Sequence, residues 1–145
     1  MYNSTSQIIK DINAWYRKSR GDTRALAGEI KENLVYLDMV TEDNVDMDEV
    51  IPSLSVVTYK RLRDEGYNFN SLKAKKIPGY KDLQGSDLEA WQGKTTGELV
   101  ESIYDKLIDL KIRYPKLKNS AKYRWGVRAK NILKRIHLLL RHLRG

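Results

Sequence analysis

The chain has 145 residues, no cysteine, and 41% apolar against 32% charged residues. That balance suits one helical domain over residues 1–145 and excludes a disulfide framework, a thiolate metal site and a chain too polar to form a core. No stretch approaches the roughly 18 apolar residues of a membrane span and the opening residues lack a signal-type apolar segment, so a soluble, cytoplasmic protein without a membrane partner is expected. The net charge of +8 averages two unlike regions: residues 1–110 hold 15 basic and 19 acidic residues, a net of −4, whereas the last 35 hold twelve Lys and Arg and no acid.

Three prolines and almost no alternating β-branched runs predict an all-α fold, a compact bundle of about five helices with a long basic C-terminal helix. Ser4 and Gln7 form a capping box ahead of the stripe Ile8, Ile9, Ile12, Trp15 and Tyr16, and Gly21 is placed to end that helix. Asp22 is expected to cap a second helix with the stripe Leu26, Ile30, Leu34 and Leu37, so that the two form an antiparallel hairpin. Between Glu32 and Val57 stand seven acids and no base, an acidic turn centred on Asp38 to Glu49. Asp46 and Glu49 make a second capping box, Pro52 confines that helix to about Ile51, and another helix ends before Gly66.

The segment from Gly66 to Lys94 reads as a loop too long to be a passive connector, expected to pack through Tyr67, Phe69, Leu72, Leu83, Leu88 and Trp91. It also carries Lys73, Lys75, Lys76 and Lys81, a second candidate phosphate contact. Thr95 and Glu98 make a third capping box, followed by the stripe Leu99, Ile103, Leu107 and Leu110, which is expected to end before Pro115. The final helix is expected to start at Asn119 or Ser120.

At about 100° per residue Trp125, Ala129, Ile132, Ile136, Leu139, Leu140 and Leu143 share one face of that helix, which predicts its burial. Lys130, Lys134, His137 and Arg141 then project from the opposite side, with Arg124, Arg128, Arg135 and His142 on a shoulder. Basic residues without acids on the same helix repel one another at i,i+4 and are stabilised only by a partner, inside or outside the chain. Two arrangements supply one. The acidic turn can lie against the helix with Trp125 as core, or the charges can face an external anion. For the second, Lys122, Arg124, Arg128, Lys130, Lys134, Arg135 and Arg141 are the candidate nucleic-acid-binding residues, with Lys73, Lys75 and Lys76 from the loop. Tyr114, Tyr123 and Trp125 interleave with them and are candidates to stack bases.

Other motifs are weaker. His137 and His142 are five apart and point to different sides of a helix, so no metal site is expected of them. Asp43, Asp46, Asp48 and Glu49 lack the glycine of a calcium loop, and capping explains them better. There is no glycine-rich phosphate loop and no serine elbow, and no cofactor is expected. Arg135 and His142, with six residues between them, resemble the R-x(4-6)-H signature of HEPN-type ribonucleases; the likeness covers those two residues, and the polar residue that often follows the family's arginine is here Ile136. It would imply a dimeric, metal-independent ribonuclease in which Arg135 stabilises phosphate charge and His142 acts as acid or base.

The leading expectation is a non-enzymatic helical module whose basic C-terminal helix holds nucleic-acid backbone, as an accessory subunit of a larger assembly. The second is a protein-interaction module that pairs the basic helix with an acidic protein or another copy of the chain. The third is the ribonuclease.

Overall fold

The computed structural model describes residues 5–145, and over them the fold is all-α, with no strand among the described residues. In chain order the helices are α1 (Thr5–Lys18), α2 (Gly21–Glu42), the single turn α3 (Met47–Val50), α4 (Val57–Asp64), α5 (Thr96–Leu117) and α6 (Trp125–Arg144). Helix α6 is the central element, packed against α1, α2 and α5. Most of the apolar stripes read from the sequence form the core: Ile8 and Ile12 of α1, Leu26, Ile30, Leu34 and Leu37 of α2, Leu99, Ile103, Leu107 and Leu110 of α5, and Ile132, Ile136 and Leu139 of α6 are buried, whereas Ile9 is 36% exposed and Tyr16 and Leu143 are half-buried at the core's edge.

Local signals account for most boundaries. Gly21 has φ +55°, a left-handed conformation that costs an L side chain about 1–2 kcal/mol, and it turns the chain from α1 into α2. Asp22 does not cap α2 as expected. It lies inside the first turn and pairs with Arg61 at 3.3 Å. The box proposed at Ser4 falls outside the described residues. Asp46 does cap α3, but its carboxylate takes the N–H of Asp48 at 2.8 Å and not that of Glu49. The Thr95–Glu98 box is complete, with Thr95 N–H donating to Glu98 Oε1 at 2.9 Å and Glu98 N–H to Thr95 Oγ1 at 3.1 Å. Helix α5 does not stop before Pro115 but continues to Leu117, because a proline this close to the C-terminus removes a backbone bond only in the last turn. Helix α6 starts later than expected, since Arg124 has φ +48° and ψ 61°, which breaks the helical path just before Trp125.

Two polar residues in the middle of α2 hold the start of α4. Glu29 accepts from Thr58 N–H at 2.8 Å, Tyr59 N–H at 3.1 Å and the Ser55 hydroxyl at 2.8 Å, which satisfies the otherwise orphaned donors of the α4 N-terminus. One turn on, Asn33 brackets Ser55 by donating to its carbonyl at 2.7 Å and accepting its N–H at 2.9 Å. Both side chains are buried, Glu29 at 7% exposure and Asn33 at 0%. Replacing Glu29 by Ala strands these donors, and a loss of about 2–4 kcal/mol in urea unfolding is expected.

Candidate functional site

Most of the basic C-terminal arm is committed within the chain. Lys111 Nζ donates to the carbonyls of Leu54 at 2.6 Å and Ile51 at 3.2 Å, and burial lowers its pKa. Arg113 and Arg128 share Asp109 at 2.6 and 3.6 Å. Lys118 reaches Asp48 at 3.4 Å, Lys134 reaches Asp87 at 3.9 Å, and Arg144 lies 3.7 Å from Asp11. Arg141 makes a two-pronged pair with Asp82 at 2.8 and 2.9 Å and stacks 3.8 Å over the ring of Tyr80. Both members of that pair are only about a quarter exposed, and the Arg141 hydrogen bonds hold the Asp82 carboxyl below the usual carboxylate range. The counter-charges of α6 therefore come from α1, α5 and the long loop. The acidic turn meets the arm elsewhere, at the end of α5, where Asp48 accepts the Tyr114 hydroxyl at 2.9 Å.

The C-terminal half of α6 does not present the open charged face expected of it. Leu138, on the side opposite Ile136, is 3% exposed because the loop around Ile77, Tyr80, Leu83 and Leu88 folds over it. Backbone bonds between Ile77 and the Gly93–Lys94 end close this loop at its neck, at 2.8 and 2.9 Å. Arg141 thus becomes a fastening for the covering loop and is taken out of the expected free phosphate-binding face, whereas Lys134, 41% exposed, only approaches the loop's Asp87 at 3.9 Å. On the same helix, burial pushes the pKa of His137 down to about 4. The folded state favours its neutral form, so stability present above the ordinary histidine value is lost as pH falls from about 6.5 and levels off near 4. A loss of about 2–3 kcal/mol across that window is expected. His137→Gln, uncharged throughout, should flatten that part of a stability–pH curve.

The weak catalytic pair is placed differently from the shoulder predicted for it. His142 is 2% exposed, and its Nε2 lies 2.9 Å from Thr96 Oγ1. Because Thr96 gives its proton to the Lys73 carbonyl at 2.8 Å, it accepts from Nε2–H, and Thr96 thereby ties both the loop and the end of α6 to the start of α5. Burial and Lys73 both lower the His142 pKa. Arg135 is half-buried and donates to the Asn131 carbonyl of its own helix at 3.0 Å. In the loop Lys73 is half-buried, while Lys75, Lys76 and Lys81 are exposed.

What stays open is the corner between α5 and α6. Lys116, Lys122, Arg124 and Lys130 are exposed, and among the described residues none of them has a carboxylate within 4.0 Å. Lys122 and Arg124 line a groove of about 470 Å³ with Lys106, Val127 and Arg128, beside Asp105 and Asp109. The aromatics here mostly serve the core: Trp125 and Tyr114 are each 9% exposed and meet edge to face at 5.3 Å. Neither is free to stack a base, which corrects that expectation. Tyr123, half-buried, stacks on Trp125 at 5.0 Å and carries the Lys122 and Arg128 cations 5.2 Å over its ring. Arg124 sits in the left-handed region, a conformation costing a non-glycine residue on the order of 1 kcal/mol, while its side chain is left exposed. No helix of the described residues is long and apolar enough to cross a membrane. No protein-family model, curated protein or solved structure matches this chain.

Proposed function

We propose that the protein is a non-enzymatic helical module that holds nucleic-acid backbone at the α5–α6 corner, through Lys116, Lys122, Arg124 and Lys130, with Arg128 and Lys118 adding to the field. The observation that carries the reading is that these four cations lack internal counter-ions, while most of the arm around them is paired. Clustered Lys and Arg without acids attract phosphate whatever the base sequence, because the gain comes from released counter-ions. With aromatic faces largely buried and no groove-reading helix free on both flanks, the contact is to backbone and not to base edges. An adaptor for an acidic protein is the rival, and it calls for a contiguous apolar patch. The exposed large apolar side chains instead lie singly on separate helices: Ile9, Val35, Val57, Ile112 and Val127.

The test is fluorescence anisotropy with labelled 20-nucleotide single strands and duplexes of RNA and DNA. Binding at about 50 mM salt that weakens steeply by about 200 mM is expected. Absence of binding to all four probes at the lower salt overturns the proposal.

A further inference from the structure

Helix α2 carries its charges the wrong way round for its own dipole. A helix favours anions at its N-terminal end and cations at its C-terminal end. Here the N-cap is Arg20, the one acid of the first turn, Asp22, is joined to Arg61, and Arg24 and Lys31 follow, whereas the C-terminal end holds Asp38, Glu42 and the C-cap Asp43 and no base. Asp38 and Glu42 repel each other at i,i+4, and burial together with the Glu42 and Asp43 carboxylates raises the Asp38 pKa. Among the described residues none of these three acids has a cation within 4.0 Å, and neither Arg24 nor Lys31 has a carboxylate. The two cations instead lie over the ring of Tyr16, at 4.5 and 5.1 Å from its centre.

These residues form one stripe. Arg24, Gly28, Lys31, Val35, Asp38 and Glu42 are spaced alternately by four and three, the spacing at which one helix meets another, and none of the six is buried. They lie away from Leu26, Ile30, Leu34 and Leu37, which face the core. Val35, 38% exposed, stands between a basic half and an acidic half.

We infer that this stripe is the contact face of a homodimer, in which two copies of α2 pair antiparallel about a two-fold axis beside Val35. Turned end for end, the stripe meets its own complement: Arg24 faces the partner's Glu42, Gly28 faces the partner's Asp38, and Lys31 faces the partner's Val35, one turn from the same Asp38. Self-complementarity of this kind is what a two-fold interface requires. A partner of a single charge would answer only one half of the stripe, whereas a second copy answers both and also sets the two helix dipoles head to tail. The contact rests on charge with little apolar area, so it is reversible and salt-sensitive. It uses none of the residues of the α5–α6 corner.

The experiment is sedimentation velocity of the full chain without nucleic acid. At about 50 mM salt a dimer with Kd of about 10–100 µM is expected, as for a small polar interface, and it should weaken at least about fivefold by about 300 mM. One variant carries Asp38→Lys with Glu42→Lys, and a second carries Arg24→Glu with Lys31→Glu. Each should lose at least about tenfold in affinity, since every facing pair becomes a repulsion. Both move charge toward the sign that the helix ends favour, so the fold, followed by far-UV circular dichroism, should be kept. Mixed in equal amounts, the two variants should form a dimer again. Val35→Arg, which sets a cation opposite the partner's Lys31, should abolish the native dimer in one exposed step. A native chain that stays monomeric at about 500 µM in low salt overturns the proposal, at a concentration well above the expected Kd. So do a dimer that survives either reversal, a mixture that fails to re-form one, or loss of the dimer in the Lys122/Arg124/Lys130 glutamate variant, which would move the interface to the basic corner. Failure of nucleic-acid binding leaves this inference untouched.

Discussion

Changing Lys122, Arg124 and Lys130 together to glutamate is expected to weaken binding to a 20-nucleotide single strand by at least about 100-fold at 50 mM salt, since each lost phosphate contact removes its share of counter-ion release and each new carboxylate repels the strand. The folded state should hardly notice. All three side chains are exposed and none is joined to a carboxylate, so the change in unfolding free energy should stay within about 1 kcal/mol. The control takes charge from the same helix at its other end. Lys134→Gln with Arg141→Gln removes two positive charges but breaks the contacts to Asp87 and Asp82, so stability should fall while affinity changes by less than about fivefold. Parity between the two variants in anisotropy titrations would mean that the arm acts only through its overall charge.

Ile136→Ala should cost about 2–5 kcal/mol in urea unfolding. Ile136 is 0% exposed and lies midway along α6, where α1, α2 and α5 converge, so little surrounding structure is free to collapse into the space left behind. Against a total stability of roughly 5–15 kcal/mol for a domain of this kind, that is a large share. Val127→Ala on the same helix, at 45% exposure, should lie within about 0.5 kcal/mol. A loss below about 1 kcal/mol at Ile136 would contradict the central position of α6.

Features encoded within a few residues of one another were legible before the structure. The Thr95–Glu98 box spans three positions, and the Leu99, Ile103, Leu107, Leu110 stripe lies within one helix, so capping chemistry and periodicity suffice to place both. Features that depend on distant pairing were not. Arg141 meets Asp82 and His142 meets Thr96 across 59 and 46 residues, and nothing in the α6 pattern announces either partner. Glu29 and Asn33 look like the polar shoulder of α2 until Ser55 and the start of α4 arrive against them. One signal was present and points the right way: Leu138, Leu139 and Leu140 are consecutive, and three apolar residues in a row cannot share one helical face, so this half of α6 has to be covered all round. The charge asymmetry of the last 35 residues was also plain, but which of those charges remain unspent is decided by acids scattered over α1, α5 and the loop.

The most direct test of the α5–α6 corner as the open anion site is the slope of log Kobs against log salt for the native chain and for the Lys122/Arg124/Lys130 glutamate variant on the same single strand. The native slope should correspond to about four phosphate contacts, at roughly 0.7 per contact for single strands, and the variant slope should be shallower by about 2. An unchanged slope in the variant, with binding retained, would contradict the account and place the contact elsewhere on the molecule.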